Sequence, residues 1–343
     1  MASSKRCRGV RGRRPAPRRL HQRGDRAVAS IGLGFAGVGW LGESLIKELP
    51  AFPRLGLAAV QDANRALAEE IAGRYGQPAV ADSYEALVAR GDVDAVVICT
   101  PNAFHPDQAI LALQAGKHTL VQKPLAISEA AAADVVRTAE RERRVLLVDC
   151  SYRFLATVDE LRAVVRQAGQ VERITATFHN IYGPGKAWFF DRSLSGGGAL
   201  MDLGVHLIDL ALELLAPERA VVVGAQMGFA QGYEVEDFAR VELNLDGVPA
   251  EIEVSWQAEQ PLTNISLRVQ CDKATVEWRN VEGSFFHFRS ERDGTCLLDR
   301  ETTLRSDTLR AFEAALASPA PEMPDVRVYR LLDEAYRMAG VRA

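Results

Sequence analysis

The chain has 343 residues, 48% apolar and 25% charged, enough for two globular domains of roughly 100–200 residues each. Its five cysteines (Cys7, Cys99, Cys150, Cys271, Cys296) are odd in number and form no Cys-x-x-Cys pair. That argues against a disulfide framework or a cysteine-rich zinc site and fits a reducing cytoplasm. The net charge of −4 is uneven: residues 1–26 hold ten Lys+Arg and one acid, and the remainder, with 31 and 44, carries −13. An acidic body is a poor nucleic-acid binder, so no nucleic-acid partner is expected, although the basic leader alone could touch nucleic acid or a membrane surface; no apolar run reaches the ~18 residues of a membrane span.

The basic leader, 1–26, lacks apolar periodicity and reads as a disordered extension or a start placed too early. It is followed by "VASIGLGFAGVGWLG", which is either the core of an export signal or a nucleotide-binding turn. The twin arginine Arg13-Arg14 is separated from the apolar run by "PAPRRLHQRGD", which disfavours export. From there to residue 150, strand and helix alternate. Strands are expected at 27–33, 55–62, 93–100, 118–124 and 144–152, with helices at 36–49, 64–76, 105–116 and 128–143. The strands are continuous apolar runs, as expected when both faces are covered. This alternation implies right-handed βαβ units and a doubly wound parallel sheet, an α/β domain over 27–150.

The pattern changes over 151–343. A helix at 157–169 and a strand at 171–183 precede the turn "SLSGGG", which opens a helix at 199–215. Six segments with period-2 alternation follow, at 220–228, 238–247, 250–258, 264–271, 274–280 and 284–290. They suggest an α+β domain with a mostly antiparallel sheet. Helices at 306–318 and 325–339 close the chain.

Gly32-x-Gly34-x-x-Gly37, with Phe35 and Ala36 inside it, is read as the phosphate turn between the first strand and helix. Glycines there permit a tight turn, backbone approach to a pyrophosphate and close helix packing. Asp62 ends the second strand, where an acid accepts hydrogen bonds from a ribose 2′-OH. Its charge favours NAD over NADP, although Arg65 could neutralise a 2′-phosphate, so NADP stays open.

Ligands of doubly wound sheets bind at the carboxyl ends of strands. "CTPNAFH" sets Thr100, Pro101, Asn102 and His105 at such an end; His105 reads equally as the first turn of a helix. "VQKP" sets Gln122 and Lys123 at the next. Lys123 could hydrogen-bond a reacting oxygen. Asp202 and His206 are i and i+4 on one helix, with Asp209 on roughly the same side. Such a polar stripe on an apolar helix needs a partner or a cleft. The unperturbed pKa of histidine, near 6.5, suits proton transfer. Asp202 and His206 could also ligate a metal, but no third ligand is evident, so no metal is expected.

Taken in order, "GLGFAG", "AVVICTPNAFH", "QKP", "SYRF" and "SGGGALMDLGVHLID" resemble the Gfo/Idh/MocA family, the glucose–fructose oxidoreductase and inositol dehydrogenase group. The resemblance spans nearly all of the chain from about residue 27. It implies a Rossmann domain followed by an α/β domain whose open sheet carries a homodimer or homotetramer. It also implies NAD(P)-dependent hydride transfer to or from a secondary hydroxyl or carbonyl of a sugar, inositol or related polyol. The family's catalytic lysine, aspartate and histidine correspond here to Lys123, Asp202 and His206. Tyr152, Arg153, Tyr182 and Trp188 are candidates for the substrate pocket. Two departures stand out: Gln122 replaces the family's usual glutamate before the lysine, and Phe189 follows Trp188 where many members have an arginine. A non-catalytic dinucleotide-binding regulator, a non-sugar substrate and recycling of a tightly held cofactor are the competing readings.

Overall fold

A computed structural model describes residues 30–180, 183–257 and 262–341. The basic leader and Tyr182 lie outside these residues. The first half builds β1 (Ile31–Ala36), α1 (Trp40–Glu48), β2 (Leu55–Gln61), α2 (Arg65–Arg74), β3 (Ala79–Val80), α3 (Tyr84–Val88), β4 (Ala95–Ile98), α4 (His105–Gln114), β5 (His118–Gln122), α5 (Glu129–Glu142) and β6 (Leu146–Asp149). All six strands are parallel, in the order β3-β2-β1-β4-β5-β6. This is the doubly wound order whose ligand crevice lies where the connections reverse, between β1 and β4.

Burial follows the pleat. In β4, Ala95 and Val97 enter one apolar cluster and Val96 and Ile98 another. Each strand therefore feeds a core on both faces, which is why no polar alternation marks it. Helix starts are fixed locally. The side chains of Asn64, Ser83 and Ser128 accept from backbone N–H groups at the starts of α2, α3 and α5, each worth about 1 kcal/mol.

The second half builds α6 (Ala156–Gln167), β7 (Val171–His179), α7 (Arg192–Ser195), a π-helical turn (Leu200–Gly204) and α8 (Val205–Leu215). Seven strands follow: β8 (Ala220–Gly228), β9 (Phe238–Leu245), β10 (Val248–Ser255), β11 (Asn264–Cys271), β12 (Thr275–Asn280), β13 (His287–Arg292) and β14 (Thr295–Glu301). With β7 they form one sheet, ordered β14-β13-β12-β11-β7-β10-β9-β8, antiparallel except for β7 beside β10. The strand β14 was not expected. Asp293 and Gly294 both have positive φ and close a tight hairpin from β13, the geometry an Asp-Gly pair favours. Residues 284–286, expected in a strand, precede β13 in a loop instead.

Two helices tie the halves together. α9 (Arg305–Ala317) leaves β14 and packs on α1, where Leu309 and Phe312 enter the first domain's cluster. α10 (Arg327–Met338) sends Tyr329 Oη to accept from Leu125 N at 3.0 Å and Asp333 to accept from Glu129 N at 2.8 Å.

Candidate active site

The phosphate turn is not where the first glycine pattern sets it. Gly32, Gly34, Phe35 and Ala36 all lie inside β1, and Phe35 and Ala36 are fully buried. A Cβ on Gly32 would stand 2.0 Å from the Asp92 carbonyl oxygen, and one on Gly34 would press on Val93 and Leu87. Those two glycines make room for the neighbouring loop and helix, not for a ligand. The turn is Gly37-Val38-Gly39-Trp40-Leu41-Gly42, an overlapping copy of the same pattern five residues on. Gly37 has φ +82°, and a Cβ there would meet the Cys99 carbonyl at 2.7 Å. A Cβ on Gly42 would stand 2.2 Å from Gly37 O, the close helix–strand approach expected of the third glycine. Gly39 opens α1 with no side-chain cap, so the first N–H groups of the helix remain available to an anion.

Asp62 grips this turn. Its Oδ2 accepts from Val38 N and its Oδ1 from Asn64 N, both at 2.9 Å. Arg65 is turned aside and pairs with Glu69 at 2.8 Å and with Asp82. Thr100 donates to Gln108 Oε1 at 2.6 Å, and Asn102 donates to Ser195 O at 2.8 Å across the two domains. Pro101 caps the short turn that precedes α4. His105 is buried, with Nδ1 2.7 Å from Pro124 O and Nε2 2.8 Å from Thr100 O. Burial lowers its pKa, and a neutral ring donates to one of these carbonyls at a time. His105 thus staples the β4 edge to the turn holding Lys123.

A cleft of about 640 Å³ runs along the carboxyl edge of the parallel sheet, between the domains. Lys123, Asp202 and His206 converge in it. Lys123 Nζ donates to Asp202 Oδ1 at 2.6 Å and to Asp202 O at 2.8 Å. Trp256 Nε1 donates to Asp202 Oδ2 at 3.2 Å. His206 is buried, its Nδ1 is sealed and unpartnered among the described residues, and its ring meets the edge of Tyr152 at 5.0 Å. Burial first, then Lys123 and Arg305, hold the imidazole well below the usual histidine range. At neutral pH the ring is a free base.

The preceding turn is held from behind. Glu236 is fully buried, and its Oε1 accepts from Gly198 N, Leu200 N and Tyr336 Oη at 2.9, 3.0 and 2.7 Å. A Cβ on Gly198 would stand 1.8 Å from Glu236 O.

The expected pocket residues divide. Tyr152 and Trp188 line the cleft, and Trp188 stacks on Phe189 at 4.1 Å. Arg153 does not. Its Nε lies 3.0 Å from Asp209 and its Nη2 2.6 Å from Glu213, behind α8. Asp209 accordingly faces away from Asp202 and His206. The π-helical turn lengthens the repeat ahead of α8, so Asp202 and Asp209, which it separates, slip apart around the axis. Burial pushes the Asp209 carboxyl up to about 6. The sequence reading did not single out Asp149, Phe178, Lys186, Trp256, Phe285, Phe286 or Arg305. All but Trp256 line the cleft.

Residues 31–150 match the oxidoreductase family with NAD-binding Rossmann fold, and residues 158–277 match the GFO/IDH/MocA C-terminal domain. The chain belongs to the Gfo/Idh/MocA family. Among curated relatives, the D-glucoside 3-dehydrogenase of Escherichia coli K12 is 32% identical over 76% of this chain and 79% of its own length. The 1,5-anhydro-D-fructose reductase of Ensifer adhaerens is 34% identical, over 69% and 71%. GenD2 from gentamicin A biosynthesis, solved in complex with NAD, superposes with a TM-score of 0.79 at 25% identity over 94% of this chain and 97% of its own. As a Gfo/Idh/MocA member, the protein is an oxidoreductase with an NAD-binding Rossmann domain. The glycine turn fits that group, because it delivers the uncapped first N–H groups of α1 to the crevice.

Proposed function

We propose that the protein is a dehydrogenase that removes hydride from a secondary hydroxyl of a sugar or related cyclic polyol, with NAD preferred. The observation that carries this reading is the convergence of Lys123, Asp202 and His206 in one cleft at the carboxyl edge of the parallel sheet. Aromatic walls from Tyr152, Phe178 and Phe285 offer faces for the C–H surfaces of a sugar ring. The glucoside and anhydrofructose enzymes among the relatives point to the same substrate class.

The chain's own residues divide the work. Gly37, Val38 and Gly39 with the start of α1 would hold the cofactor's phosphates, Asp62 its ribose, and Thr100 and Asn102 the crevice wall. Bound NAD supplies the hydride acceptor. His206, kept neutral, takes the hydroxyl proton at Nε2, the nitrogen not sealed in the core. Lys123 Nζ donates to the same oxygen as negative charge builds on it. Asp202 holds Lys123 in place and is itself fixed by Trp256. NAD is preferred because Asp62 would repel a 2′-phosphate, and Arg65 is already occupied by Glu69 and Asp82. His206→Asn tests the assignment: it should cut kcat by about 10²–10⁴-fold and leave NADH binding unchanged. Equal loss of both would remove His206 from the proton path.

We also propose a homodimer or homotetramer built on the open face of the eight-stranded sheet, and a cytoplasmic setting. The domain division at residue 150 is supported by the family match that ends there. Cys99, Cys150 and Cys271 are free thiols, which suits a reducing compartment. No helix among the described residues is long and apolar enough to cross a membrane.

A further inference from the structure

Gln122 ends β5, Asp149 ends β6, and the two are register partners in the parallel sheet. Their side chains therefore share one face at the carboxyl edge, about 4.8 Å apart in backbone spacing. Asp149 is fully buried and surrounded by donors. Gln122 Nε2 donates to its Oδ2, and Ser151 Oγ and Thr308 Oγ1 each donate to its Oδ1 at 2.6 Å. The Arg305 guanidinium lies 3.9 Å from Oδ2. A carboxylate only accepts hydrogen bonds, so the amide nitrogen of Gln122 must face it. The amide oxygen, Oε1, is then turned away from Asp149, and Gln122 lines the cleft beside Lys123. A glutamate at 122 would press a second carboxylate against the buried Asp149. That is the arrangement in which like charges are most costly.

We propose that Asp149 carries the negative charge that residue 122 lacks. It acts as a positioning residue, locking Gln122 so that Oε1 accepts from an N–H or O–H of the bound cofactor or substrate. The inference rests on the redox reading above for what enters the cleft, but the pairing itself belongs to the protein alone. Arg305 and Thr308 arrive on α9, so this lock also fastens the second domain's chain to the floor of the first domain's crevice.

The test is a charge swap in the full-length protein: Gln122→Glu, Asp149→Asn and the double variant. Each is measured by melting without cofactor, by fluorescence titration with NADH, and by KM and kcat on the best substrate. Each single variant should lower the melting temperature. Each should also weaken NADH binding or raise KM by about tenfold, with kcat moved by less than about threefold. The double variant restores a neutral amide against a carboxylate and should recover binding to within about threefold of wild type. If Asp149→Asn does not fold, recovery in the double variant carries the test. A shift confined to NADH assigns the donor to the cofactor, and a shift confined to KM assigns it to the substrate. A double variant as poor as both singles combined overturns the pairing. Singles that melt early but leave NADH binding and KM untouched overturn the positioning role. A wild type that never binds NADH defeats the redox reading, and the melting cycle still decides whether Gln122 and Asp149 are coupled.

Discussion

Replacing Gly39 with alanine separates the two possible phosphate turns. Gly39 has φ −63° and ψ −169°, values alanine adopts without strain. An added Cβ meets nothing nearer than Lys186 Nζ at 3.7 Å. The fold therefore loses only cap quality at α1, about 0.5–1 kcal/mol, or about 1 °C in melting temperature. The methyl would, however, stand among the open N–H groups at the start of α1. Losing one hydrogen bond to a charged phosphate costs about 1.5–3 kcal/mol, which is about 10- to 100-fold in the NADH dissociation constant. Gly34→Ala is the control. Its Cβ would lie 3.0 Å from Val93 Cγ1 and 3.2 Å from Leu87 Cδ1, so it should cost about 1–3 kcal/mol of stability by overpacking. NADH binding by the folded protein should stay within about threefold of wild type. Melting and NADH titration of both variants suffice. Weaker NADH binding in Gly34→Ala than in Gly39→Ala would refute the assignment of the turn.

Three further outcomes follow from the same geometry. Lys123→Met leaves Asp202 with Trp256 as its remaining side-chain donor and should cut kcat by about 10²–10³-fold with NADH affinity retained. It also removes a charge that depresses His206; the imidazole pKa rises, and the acid limb of kcat/KM should move to higher pH. Arg153→Met strands Asp209 and leaves Glu213 to Arg162, and denaturant melts should show a loss of about 3–5 kcal/mol at pH 8. The loss should shrink at pH 5, where Asp209, already near 6, takes a proton. Asp62→Ala frees Val38 N and Asn64 N and removes the repulsive charge. The NADP-to-NAD ratio of kcat/KM should rise by about tenfold.

The sequence carried the strand–helix alternation of 27–150 because a sheet covered on both faces writes itself as apolar runs. It also carried Lys123, Asp202 and His206, because strand ends and helix spacing are local. The glycine turn was misplaced because Gly32-x-Gly34-x-x-Gly37 and Gly37-x-Gly39-x-x-Gly42 overlap, and pattern alone does not choose between them. Spacing does discriminate: Asp62 follows Gly42 by about 20 residues, the separation the dinucleotide fold uses. Asp293-Gly294 was likewise a readable hairpin signal for β14. Asp209 resisted reading because the π-helical turn shifts its phase against Asp202, and Arg153 because its partners Asp209 and Glu213 are more than 50 residues away in sequence. Arg305 reaches the cleft only because α9 folds back over α1, a contact spanning more than half the chain. Asp149 was legible as a strand-end acid, but its bearing on Gln122 depends on the register of β5 against β6.

The most direct test of the central claim is steady-state reduction of NAD and NADP with D-glucosides, 1,5-anhydro sugars, inositols and free hexoses. The account predicts turnover with at least one cyclic secondary alcohol, faster with NAD, and abolished in His206→Asn. NADH binding without turnover of any of these substrates would contradict it and leave the cleft as a dinucleotide site without sugar chemistry.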